Sequence, residues 1–228
     1  EERERVTRAA GPVHFAMQSF GEMEVRRALA DLAEVRGRLA TIQRFDGYSG
    51  TAAIVSGAVA IAAGLVQALV APQPRDAAAR GSYLAIWLTC LGIALAINYG
   101  AIVAWRLRNR GEQAGVQFRT VGMSIVPALA AGGVITLALL QRGLDGLLPG
   151  MWCATYALGL FASRAMVPER VVLVAVGFGA AATVLLLAAH FNTLSWWIMP
   201  LVFGGGQITI GAIVLSDAPA DTTLERNR

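Results

Sequence analysis

Six apolar stretches, each close to the length that a helix needs to cross a hydrocarbon core, constrain this chain more than any other feature. They run near Gly50 to Val70, Leu84 to Trp105, Val121 to Leu140, Leu147 to Met166, Val171 to Ala189 and Leu194 to Leu215. A bilayer core takes about 20 residues of α-helix. Backbone groups placed in lipid must be satisfied within their own segment. The runs therefore predict an all-α fold, a polytopic membrane bundle of six transmembrane helices. Only Gln141-Arg-Gly-Leu-Asp-Gly separates the third run from the fourth, and His190-Phe-Asn-Thr the fifth from the sixth. Such short links predict tight antiparallel hairpins.

Composition supports the same class. Hydrophobic residues make up 56% of 228 positions and charged residues 15%, against about a quarter charged in an average soluble domain. A water-soluble fold of this size would have too little polar surface to cover it. The net charge of +4 does not mark a nucleic-acid binder, because the basic residues fall in short runs between apolar stretches. All 19 are arginine. The guanidinium stays charged when partly desolvated, but GC-rich coding is the simpler explanation of the bias, so no function rests on it.

The soluble parts divide into a poorly ordered segment 1–21, an amphipathic cytoplasmic or interfacial helix 22–46, and a cytoplasmic tail 217–228 around a transmembrane domain 47–216. In the lead helix Val25, Leu29, Leu32, Leu39 and Ile42 recur at spacings near three and four, opposite Arg26, Arg27, Asp31, Glu34 and Arg38. It suits the inner leaflet or the cytoplasmic ends of the spans. Arg36 interrupts its seam and disfavours a coiled coil. No signal peptide pattern precedes it, and Met23 is a candidate internal start.

Loop arginines set the orientation. Eight precede the first run, and Arg106, Arg108, Arg110, Arg119, Arg164, Arg170, Arg226 and Arg228 share its side on alternation; Arg75, Arg80 and Arg142 fall on the other. Cytoplasmic loops retain basic residues, so both termini are expected inside a bacterial inner membrane. Trp105 and the Trp196-Trp197 pair sit where interfacial aromatics belong.

Chemistry is sparse within the runs. No Asp, Glu or His lies near the middle of any of them, which argues against a proton-coupled carrier and against haem, which needs axial ligands. Cys90 and Cys153 lie in apolar segments and make no metal-ligand spacing. HExxH, Walker-type and GxSxG motifs are absent. The expectation is a protein that is not an enzyme and has no cofactor, metal or catalytic residue.

What remains is a short set of candidate ligand or polar-core positions. Arg164 has apolar flanks and either snorkels to the inner surface or pairs with Asp46 or a lipid phosphate. Pro127 removes one helical hydrogen bond and should kink the third span. Gln207 follows the run Gly204, Gly205 and Gly206, which either unwinds into a substrate site or packs closely against a neighbour. Asn98, near the middle of the second span, is its expected partner. Gly50 with Gly57 and Gly204 with Gly211, seven apart, and Gly150 with Gly159, nine apart, hint at a loose repeat, though glycine recurs in membrane helices for packing reasons alone. Ser56, Ala60 and Gly64 form a small-residue packing stripe.

At Arg44-Phe-Asp-Gly-Tyr-Ser-Gly50, Gly159-Leu-Phe-Ala-Ser-Arg164 and Phe203-Gly-Gly-Gly-Gln207 the chain resembles uncharacterised six-span inner-membrane proteins of bacteria. It is also similar in layout to acid-resistance membrane proteins of the HdeD type, whose three hairpins carry Gly-rich first helices. Neither resemblance supplies a catalytic residue. The sequence is thus read as a structural, interaction or regulatory bundle whose partners are membrane lipids and a second copy or another membrane protein. Transport of a small uncharged or anionic solute is the first alternative and lipid binding the second.

Overall fold

The computed structural model describes residues 48–109, 112–187 and 192–217, together with Leu29 and Leu32. The chain divides into two units, residues 1–43 and 44–228. All six helices named below belong to the second. The predicted amphipathic helix falls outside the described residues apart from Leu29 and Leu32, which are helical and exposed. Asp46, His190 and the tail beyond Asp217 also lie outside them.

Among the described residues the fold is all-α. Helix α1 spans Gly50–Val70, and the Ser49 hydroxyl caps it by accepting from the Ala52 N–H at 3.2 Å. Pro72 and Pro74 follow its end. Helix α2, Ala77–Arg108, starts on Asp76, whose carboxylate accepts from the Ala79 N–H at 2.8 Å. Helix α3, Glu112–Gln141, continues through Pro127 and stops at Gly143, where φ of 66° turns the chain. A 3-10 turn, Asp145–Leu147, leads into α4, Leu148–Ala162, with Pro149 in its first turn. Helix α5 is Val171–Leu187. A π-helical turn, Pro200–Gly204, then opens into α6, Gly205–Ser216.

Among the described residues two helices, α1 and α2, are long and apolar enough to cross a membrane, with mean hydropathy of 2.2 and 1.9 over their best windows. The other elements are shorter or mixed. Helix α4 has 15 residues and α5 has 17, or about 23 and 26 Å at 1.5 Å per residue. In α3 the stretch Val126–Gln141 counts as a shorter apolar helix among the described residues.

The helices form one bundle. Helix α1 packs against α2 on one side and against the π turn and α6 on the other, while α4 lies between α3 and α5. The two groups meet across α6. Ala53 of α1, Val171 of α5 and Ile210 of α6 make one buried cluster, and Cys153, Phe178 and Ile198 make a second. A third joins Ala60 of α1 to Tyr83, Trp87 and Cys90 of α2.

The expectation of a tight hairpin from the fifth and sixth segments needs correction. Helix α5 packs chiefly on α4, and α6 on α1, so α5 and α6 touch sparsely. A short link limits how far apart two helix ends can be, but it does not make their faces complementary. Complementarity decides the partner, and α1 offers α6 the better surface.

Candidate functional site

That surface is a glycine seam. A Cβ added at Gly57 would lie 2.8 Å from the Gly204 carbonyl oxygen and 2.7 Å from Ile208 Cγ1. One at Gly50 would lie 2.7 Å from the Gly211 oxygen, and one at Gly64 would overlap the Pro200 ring. The partners of Gly50, Gly57 and Gly64 thus step backwards through Gly211, Gly204 and Pro200, as antiparallel helices require. A spacing of seven keeps residues on one helix face, and absent side chains let the two backbones approach. Of the glycine spacings that hinted at an internal repeat, Gly50 with Gly57 and Gly204 with Gly211 are the two halves of this one contact, whereas Gly150 faces Leu186 and Gly159 faces Ala128.

The run Gly204-Gly205-Gly206 does not unwind. Its residues keep helical dihedrals, φ −63° and ψ −54° at Gly204 and φ −62° and ψ −44° at Gly205. Each glycine faces a different environment because successive helical residues point about 100° apart. Gly204 meets α1. Gly206 meets the Phe178 ring of α5, where a Cβ would lie 2.5 Å from Cε2, and Gly205 has nothing within 4 Å. The irregular part of this segment lies one step earlier, at the π turn that begins at Pro200.

Call the end of the bundle where α1 begins the near end, and the other the far end. Polar side chains tie the far end together. Gln67 is fully buried: its amide nitrogen donates to the Leu194 carbonyl at 2.7 Å and the Ala71 carbonyl at 3.3 Å, and its oxygen accepts from the Trp87 indole at 2.8 Å. Three elements thereby share one amide. Around it, Trp196 N–H donates to the Pro72 carbonyl at 3.1 Å, and Thr193 Oγ1 donates to the Gly146 carbonyl. Arg80 pairs with Asp145 at 2.9 Å. All three far-end connections are linked to one another.

Gln67 was not among the candidates from sequence. It stands near the end of an apolar helix, where an amide is normally solvated, and only the buried Trp87 indole, which needs an acceptor, could have pointed to it. At the near end Ile102 packs with Tyr48, Trp105 and Met166.

Asn98 and Gln207 do not pair. The Asn98 amide donates to Ser56 Oγ of α1 at 2.7 Å and to the Ala94 carbonyl at 2.8 Å, and the Ser56 hydroxyl donates to the Ala52 carbonyl at 2.9 Å. Gln207 instead donates to the Tyr156 hydroxyl of α4 at 2.6 Å. Similar depth was a poor guide to proximity, because the two amides project from opposite sides of the α1–α6 seam. Tyr156, Phe178 and Phe203 enclose the Gln207 side of it, with ring centroids 4.6 to 5.5 Å apart. The Gln207 carbonyl oxygen and the Tyr83 hydroxyl are buried and find no partner among the described residues.

Pro127 is exposed on α3 and is not a hydrogen-bond partner of either amide. Arg164 is exposed in the turn after α4, where it donates to the Phe161 carbonyl at 3.2 Å. A cation is favourable beside the unpaired carbonyls of a helix C-terminus. The candidate positions therefore occupy separate places instead of surrounding one pocket.

A groove does open where α5 and α6 diverge. Its volume is about 620 Å³, and Leu173, Gly177 and Ala181 of α5 face Leu201, Gly206 and Thr209 across it, with Arg170 at the near end. Among the described residues no group of three or more His, Cys, Asp or Glu side chains could hold a metal.

No family model matches this chain, and no curated protein or solved structure is detectably similar to it.

Proposed function

We propose that the chain is a six-span inner-membrane bundle with a structural, interaction or regulatory role and without catalysis. One observation carries the reading: polar side chains of the apolar helices are spent on joining helices. Gln67 links α1 to α2 and to the segment before the π turn, Asn98 links α2 to α1 through Ser56, and Trp152 of α4 donates to Thr136 of α3 at 2.9 Å. Amides and hydroxyls placed in this way act as interhelical glue, whereas a conducting path would leave them facing water.

The membrane assignment draws on exposure. Only 33% of the apolar window in α1 and 17% of that in α2 is buried inside the bundle, and large apolar side chains such as Leu69, Met123, Leu173 and Leu187 are more than 70% exposed. A soluble core helix would bury such residues. The shorter α4 and α5 fit a thinner or locally deformed bilayer. The arginine distribution supports cytoplasmic termini.

Substituted-cysteine labelling tests both parts. Single cysteines at positions 98, 127 and 207 should resist a membrane-impermeant thiol reagent in reconstituted vesicles, while cysteines at 75 and 108 should react from opposite sides. A transport role is the competing reading, and the unpartnered Gln207 oxygen favours it. Reaction at both 98 and 207 would place water in the bundle and replace the first reading with the second.

A further inference from the structure

We propose that the groove between α5 and α6 binds one acyl chain of an anionic phospholipid, with the phosphate on Arg170; this rests on the membrane reading above. The groove has the dimensions of a leaflet. From Arg170 to Ala181 the α5 wall rises about 16 Å at 1.5 Å per residue, close to half of the ~30 Å hydrocarbon core. Its volume of about 620 Å³ lies within the ~300–1,000 Å³ range of small-molecule sites.

Its chemistry is graded along that length. Leu173, Gly177, Ala181 and Leu201 present apolar surface, and the Thr209 hydroxyl is already committed to the Gly205 carbonyl at 2.8 Å. Arg170 supplies the one cation, at the near end. It is exposed and joins no ion pair with a described carboxylate. Flanking α5 and α6, among the described residues, Glu169 beside it and Asp217 at the end of α6 are the acidic groups at this end. An apolar slot one leaflet deep, with a cation at its mouth, complements a lipid with an anionic head. The arginine bias puts that mouth in the inner leaflet.

Two features keep the groove open. Phe178 seats on Gly206 and sets how closely the helices approach, while a Cβ at Gly177 would have nothing within 4 Å. A side chain added at Gly177 therefore starts into the slot with its Cβ clear of the fold.

The test uses the full chain in phosphatidylcholine vesicles that contain spin-labelled phosphatidylglycerol or spin-labelled phosphatidylcholine. Wild type should show a motionally restricted lipid population that favours phosphatidylglycerol about fivefold, as one cation near the surface supplies. Arg170→Gln should keep restricted lipid and lose the preference. Gly177→Leu should lower the restricted population and abolish its preference for phosphatidylglycerol, leaving the lipid on the outer helix faces, with helicity by circular dichroism as the control on folding. No preference in wild type, or an unchanged population in Gly177→Leu, overturns the assignment. So does an oxidised dimer of Gly177→Cys that wild type, with its buried Cys90 and Cys153, does not form, because a second copy would then occupy the slot. A chain that fails to float with vesicles refutes the membrane reading itself; one that floats without restricted lipid refutes only the groove.

Discussion

Helix α6 makes two interfaces that differ in kind. Against α1 it is sealed, with Gly204 and Gly211 laid on Gly57 and Gly50 so closely that neither side has room for a methyl group. Against α5 it is open, touching through Gly206 and Phe178 and leaving a groove beside them. Both faces of α6 carry glycine. The difference lies in the partner: α1 answers with its own glycines at the same spacing, and α5 answers with an aromatic ring. Glycine permits close approach, and the opposing residue decides whether it happens.

The largest expected effect breaks the sealed side. Gly57→Leu forces a branched side chain against the Gly204 backbone, which has no flexible atom to move aside, and should cost about 3 kcal/mol in reversible unfolding from mixed micelles. Next comes the far-end clasp. Gln67→Leu strands the Trp87 N–H and the Leu194 carbonyl, for a loss of about 2 kcal/mol in the same titration; a variant as stable as wild type would show that the seam alone holds α1 in place. Asn98→Ala removes a single interhelical amide and should cost about 0.6 kcal/mol. On the open side the sign reverses. Gly177→Leu relieves the entropic cost of a helical glycine and should leave the protein unchanged or stabilise it by about 0.5 kcal/mol. If Gly57→Leu and Gly177→Leu prove equally harmful, the contrast between the two faces of α6 fails.

The sequence was most informative about elements and least about neighbours. Six apolar runs correspond to six helices because charge and proline punctuate the chain where the helices end. Their limits moved where polar residues continue a helix, as in α2, which extends from Ala77 through Arg106 to Arg108. Helix partners were harder to read. Gly50 with Gly57 and Gly204 with Gly211 are visible as spacings, yet nothing local says that one pair faces the other.

The polar sites failed for a related reason. Depth in a helix can be counted along the chain, but azimuth depends on the helix beside it. Asn98 and Gln207 agree in the first and differ in the second. Of the two readings of the glycine run, close packing holds: Gly204 lies on α1 and Gly206 on Phe178 while the helix stays wound.

The α1–α6 seam also has a consequence in time. Its two strands of glycine lie near opposite ends of the described chain, with α2 to α5 between them. At ~5–20 residues per second, translation leaves the glycine face of α1 without its partner for on the order of ten seconds. During that interval the narrow strip at Gly50, Gly57 and Gly64 has no α6 to seal it, and the order of synthesis makes that closure wait until α2 to α5 have emerged.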